Sequence, residues 1–162
     1  MSRKMSWEGI GPKLVLTVLP YIILIVVVMA VFPSFLKMDF ISQSAATAIA
    51  IIWGGIGMVF YIMTAVTFFS EFNRGRLITK GVFAWTRNPI YGCFIIFFIP
   101  ALGVLFRSWL LFSVFIPLYI NFKVLIREEY QILEENFGQE FLDYKARVNE
   151  LIPIPKWKKT QS

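Results

Sequence analysis

Four apolar runs constrain this chain more than any other feature. Leu14 to Leu36 and Ala45 to Ser70 each exceed the roughly 20 residues that carry a helix across a bilayer core. Tyr91 to Phe106 and Ser108 to Phe122 are shorter and separated only by Arg107. They read as a tight helical hairpin whose helices extend into the interface at their cytoplasmic ends. In lipid, every backbone polar group must find its partner within the protein. The expected fold is therefore all-α and integral to the membrane, with four transmembrane helices plus a C-terminal amphipathic helix. Residues 1–162 read as a single membrane domain, with two N-terminal spans in 1–70 and a core with spans three and four and the tail helix in 71–155.

Composition removes several kinds of chemistry. The chain is 57% hydrophobic and 16% charged, against about 25% charged in a soluble domain. It has no His and a single cysteine, Cys93. The commonest metal ligand and the usual general base are therefore missing, and no multi-cysteine zinc site or internal disulfide is available. No metal is expected. The net charge of +6 suits anionic headgroups. No basic stripe of a soluble module points to nucleic acid. All ten acidic residues lie outside the apolar runs. An intramembrane carboxylate is the usual mark of a proton or cation path, so its absence counts against a small exporter.

Lysine and arginine set the orientation. Arg3, Lys4 and Lys13 precede the first run, and Arg74, Arg76, Lys80 and Arg87 follow the second. Further basic residues lie from Lys123 onward, whereas the other two connections hold only Lys37 and Arg107. The positive-inside bias then puts both termini and the loop at 71–90 in the cytoplasm. The first run is too long for a signal peptide and lacks its cleavage pattern. Pro20, Pro100 and Pro117 fall inside the runs, where neighbouring helices can satisfy the freed carbonyls. Gly54, Gly55 and Gly57 suit close helix packing. Met5, Trp7 and Trp157 suit interfacial anchoring.

Two polar segments remain for chemistry. The first is LITKGVFAWTRNPIYG, residues 77 to 92. Asn88 is a good helix N-cap and Pro89 a favoured first residue. The third span should therefore open with free N–H groups toward the cytoplasm, a seat for an anion to which Arg87 could add a bidentate contact. A capped helix with Arg87 reaching lipid phosphate explains the same residues. The second segment is REEYQILEENFG, residues 127 to 138. Beyond it Phe137, Phe141, Tyr144 and Val148 form one apolar helical stripe, interrupted at Gly138 and ended by Pro153 and Pro155. Arg127, Glu128 and Glu129 sit at the membrane surface, as a site or as an interfacial charge cluster.

Together the segments resemble the isoprenylcysteine carboxyl methyltransferase and phospholipid N-methyltransferase superfamily. The likeness lies in LITKGVFAWTRNPIYG followed, one helical hairpin later, by EYQILEENFGQEFLDYKARVNELIP. It covers roughly residues 75 to 155, and the order and separation of the two motifs make it specific. It implies S-adenosylmethionine as methyl donor, bound between the motifs by Leu77, Ile78, Phe83, Arg87, Asn88, Pro89, Tyr91 and Glu129. Glu128 and Arg87 are the candidate catalytic residues. The family's common His is Asn88 here, and the second acid of its pair falls on Tyr130. The arginine that its prenylcysteine enzymes carry four residues before the first acid is Leu125. Arg127 stands in as the candidate substrate ligand.

The resulting expectation is a membrane methyltransferase that modifies a lipid or a lipidated small molecule by carboxylate O-methylation of the isoprenylcysteine type. Phospholipid amine N-methylation is the alternative within the family. A non-catalytic four-span scaffold or small transporter is the alternative outside it.

Overall fold

The computed structural model describes residues 9–72 and 75–153. Arg3, Lys4, Met5, Trp7, Arg74, Pro155 and Trp157, invoked above for orientation, anchoring and helix ending, lie outside the described residues. Among the described residues every long element is helical: α1 (Gly11–Val31), α2 (Gln43–Phe72), α3 (Pro89–Leu105), α4 (Trp109–Ser113), α5 (Phe115–Phe137) and α6 (Gln139–Arg147). Three helical stretches are long and apolar enough to cross a membrane: Gly11–Val31, Gln43–Glu71 and Trp109–Phe137. The third expected run forms the shorter apolar helix α3 instead. The fourth does not end at Phe122 but continues through the acidic segment to Phe137.

Proline explains the irregularities. Pro100 has no N–H to give the Ile96 carbonyl four residues back, the defect proline creates inside a helix. Trp53 on α2 supplies the missing donor, its Nε1–H reaching Ile96 O at 2.9 Å. The helix widens into a π segment over Cys93–Phe98, immediately before that proline. Pro117 likewise offers nothing to the Ser113 carbonyl, and the break between α4 and α5 falls at Val114.

Glycine lets α2 approach α3. A side-chain carbon at Gly57 would stand 2.4 Å from Phe97 Cβ, and one at Gly54 would stand 3.6 Å from that of Ala101. Gly55 faces open space, so two of the three glycines serve packing and the third does not.

Helix α1 packs on α5, and α2 on α3. Between the two pairs lies an apolar cavity of about 810 Å³, lined by residues such as Leu14, Val18, Met58, Phe94, Phe98 and Leu118. The outward faces of α1 and α2 are apolar and exposed, with Leu16 at 69% and Ile51 at 68%. Such surface is anomalous in water and ordinary in lipid. At one end of the bundle the short connections join: Met38 N–H donates to Arg107 O at 2.7 Å, and Trp109 N–H to Leu36 O at 2.9 Å. Both polar segments therefore meet at the opposite end.

There α5 stops at Gly138, whose φ of +49° breaks the helix. Phe141 and Tyr144 of α6 turn inward with Val148, and Phe141 is fully buried, a burial worth about 1.5–3 kcal/mol. Helix α6 ends at Arg147, well before Pro153. The prolines do not end it. Val148 turns extended because the next residues pair with the loop before α3.

Candidate functional site

The loop between α2 and α3 is held from behind by the chain that follows α6. Arg87 N–H donates to Asn149 O at 2.9 Å and Asn88 N–H to Glu150 O at 3.1 Å. The same Glu150 carbonyl accepts from Thr86 Oγ1 at 2.9 Å and from Asn88 Nδ2 at 3.1 Å. Lys123 on α5 holds the Glu150 carboxylate at 2.5 Å. Tyr144 closes the clamp from α6, its hydroxyl donating to Phe83 O at 2.7 Å. Burial pushes the Tyr144 hydroxyl above the ordinary tyrosine range, and the nearby Arg87 charge pulls the other way.

This clamp departs from the expected helix opening. Asn88 occupies the N-cap position of α3, but its side chain makes no capping hydrogen bond. It donates instead to Tyr130 Oη at 2.6 Å. Asn88 and Pro89 are buried, and the Arg87 and Asn88 amides are spent on the tail.

In front of the clamp lies a cavity of about 510 Å³. Gly9 and Ile10 before α1 and Pro12 and Lys13 in its first turn line it; the end of α2 gives Phe68. The loop gives Arg76, Leu77, Ile78, Phe83 and Arg87. The last turns of α5 give Glu128, Glu129, Ile132, Leu133 and Phe137, and α6 gives Tyr144. The volume and the apolar wall with few polar atoms are those of a small-molecule site. Three buried polar atoms on its lining residues lack a hydrogen-bond partner among the described residues: Arg87 Nε, Arg87 Nη1 and Glu129 Oε2. The Arg87 guanidinium rests over the Tyr130 ring, 4.8 Å from its centre. Glu128 stands at the mouth, paired with Lys13 at 2.5 Å. Buried polar groups are nearly always satisfied. Unpartnered guanidinium nitrogens and an unpartnered carboxyl oxygen on one cavity call for a ligand bearing both an acceptor and a donor.

The sequence profile of the phospholipid methyltransferase family matches residues 43–140, more than half of the chain. The chain belongs to that family. No curated protein and no solved structure matches it. The matched stretch contains both polar segments of this methyltransferase and starts at the first residue of α2, leaving α1 outside.

The residues put forward from the sequence divide into two groups. Leu77, Ile78, Phe83, Arg87, Glu128 and Glu129 all line the polar cavity of this phospholipid methyltransferase family member. Asn88 and Pro89 lie in the clamp behind it. Tyr91 lines the apolar cavity, its ring 5.4 Å from that of Phe122. Arg127 is exposed and lines neither cavity. Sequence reasoning passed over Gly9, Ile10 and the first turn of α1 with Lys13, which no periodicity marks as neighbours of α5. It also placed Tyr144 on an apolar stripe without a use for its hydroxyl.

Proposed function

We propose that the protein transfers a methyl group from S-adenosylmethionine to a membrane lipid or a lipidated small molecule. The donor sits in the polar cavity and the acceptor's tail in the apolar one. The observation that carries this reading is the set of buried, unpartnered polar atoms on one cavity, Arg87 Nε and Nη1 and Glu129 Oε2. The amino-acid end of the donor is a zwitterion. Its carboxylate suits the planar guanidinium, and its ammonium or ribose hydroxyls suit the carboxylate of Glu129. Leu77, Ile78, Phe83 and Leu133 would flank the nucleoside. When bound, the donor supplies an electrophilic methyl group on a sulfonium.

The chain's own residues do the rest by positioning, which can account for about 7–11 kcal/mol of a barrier of this kind. Arg87 and Glu129 orient the donor. The apolar cavity admits the tail sideways from lipid and keeps water away. The basic residues around the site favour placing it, with both termini, on the cytoplasmic face. In this reading α3 completes a fourth crossing alongside α2.

The first reading of the acceptor is an amine, in keeping with the phospholipid methyltransferase profile that the chain matches, and the arginine proposed for a substrate carboxylate, Arg127, lines neither cavity. Carboxyl methylation of the isoprenylcysteine type is the second reading. It rests on Arg87, the cation in the cavity wall with unpartnered nitrogens. The test is to label membrane lipids with methyl-tritiated S-adenosylmethionine and treat the product with base. Base-stable label supports the amine, label released as methanol supports the carboxylate, and no transfer with no donor binding overturns both.

A further inference from the structure

Thr86, Arg87 and Asn88 all lean on the strap formed by Asn149 and Glu150. Thr86 Oγ1 and Asn88 N–H reach the Glu150 carbonyl at 2.9 and 3.1 Å, and the Arg87 N–H between them reaches Asn149 O at 2.9 Å. Thr86 is fully buried and Asn88 nearly so, so these bonds sit out of water, where an unmade bond is costly. The strap thus fixes the backbone that carries Arg87 into the wall of the polar cavity. An ion pair ties the strap in turn to α5, Lys123 Nζ to Glu150 Oε2 at 2.5 Å.

Helix α5 meets this unit at two points. Tyr130, roughly two helical turns beyond Lys123, accepts from Asn88 Nδ2 and carries the Arg87 guanidinium over its ring. Glu129, beside Tyr130, lines the same cavity as Arg87. One helix therefore presents the carboxyl directly and fixes the arginine at second hand. Lys123 and Glu150 themselves do not line the cavity.

We propose that Lys123 and Glu150 are positioning residues for the methyl donor, holding Arg87 at the spacing from Glu129 that the donor's amino-acid end requires. This role rests on the methyltransferase reading and extends it to a pair that the sequence did not put forward for the site. Neither residue touches the donor. They set how well Arg87 holds it, because a guanidinium matches a carboxylate best in one planar geometry.

Titration of S-adenosylmethionine into the full chain in detergent tests the role. Lys123→Met and Glu150→Gln are each expected to weaken donor binding about three- to tenfold, the scale of a partly buried ion pair, with both variants folded. Lys123→Arg keeps the charge and is expected to stay within about twofold of wild type. Arg87→Ala separates positioning from general support of the fold. If the pair acts through Arg87, adding Lys123→Met to Arg87→Ala leaves donor affinity where Arg87→Ala alone puts it. Unchanged affinity in both single variants overturns the role. So does a Lys123→Met loss that persists in full without Arg87. Wild-type protein that binds no S-adenosylmethionine overturns the methyltransferase reading itself, and this role with it.

Discussion

Asn88 and Tyr130 are hydrogen-bonded to each other, amide nitrogen to hydroxyl at 2.6 Å, in the buried layer behind the cavity. They are also the two positions at which the chain departs from the histidine and acid of the motif it resembles. The two departures thus fall on one buried contact, a neutral amide–phenol pair. Tyr130 further supports Arg87 through its ring, so the pair bears directly on the cavity wall.

A double-mutant cycle tests that coupling. Asn88→Ala and Tyr130→Phe each remove one buried partner and should each cost about 1–3 kcal/mol. The double variant should cost less than the sum by about 0.5–3 kcal/mol, as contacting residues do. Chemical or thermal unfolding in detergent measures it. Simple additivity would mean that the two side chains do not support one another.

The glycines of α2 give a contrast within three residues. Gly57→Ala forces a carbon to 2.4 Å from Phe97 Cβ and should cost about 1–3 kcal/mol, the range for overpacking. Gly55→Ala meets nothing and should gain a few tenths of a kcal/mol from helix propensity. Melting temperatures of the two variants should move in opposite directions.

Tyr144 makes stability fall at high pH. Its hydroxyl holds the proton more tightly in the folded protein than the ordinary tyrosine does. Its contribution is therefore complete below the unfolded value near 10 and is lost as the pH rises above it. Tyr144→Phe loses the bond to Phe83 O and should lower stability at neutral pH by about 0.5–1.5 kcal/mol. It should also flatten part of the alkaline decline, read from unfolding midpoints between neutral and alkaline buffers.

Much of the fold and part of the site were legible in the residues. Long apolar runs disclose helices because lipid leaves the backbone no other partner, and two motifs one hairpin apart disclosed the loop and α5 as neighbours. Leu77, Ile78, Phe83, Arg87, Glu128 and Glu129 accordingly fall around one cavity. The illegible parts depend on contacts distant in sequence. Nothing in the local pattern says that Trp53 will serve the carbonyl freed by Pro100, or that Lys13 will reach Glu128. Asn88 reads locally as a cap, yet a tail sixty residues later takes its side chain. Tyr91 sits in a motif associated with the donor, while the turn of α3 places it on the apolar cavity.

In the proposed function Arg87 and Glu129 hold S-adenosylmethionine together in one cavity. Titration calorimetry of the detergent-solubilised protein with S-adenosylmethionine tests it most directly. Wild-type protein should bind at a single site. Arg87→Ala should weaken binding roughly 10- to 100-fold, the loss of a charge-assisted pair, and Glu129→Gln should weaken it as well, with both variants still folded. Folded variants that bind as tightly as wild type, or a wild-type protein that binds no donor, would exclude that role for the two residues.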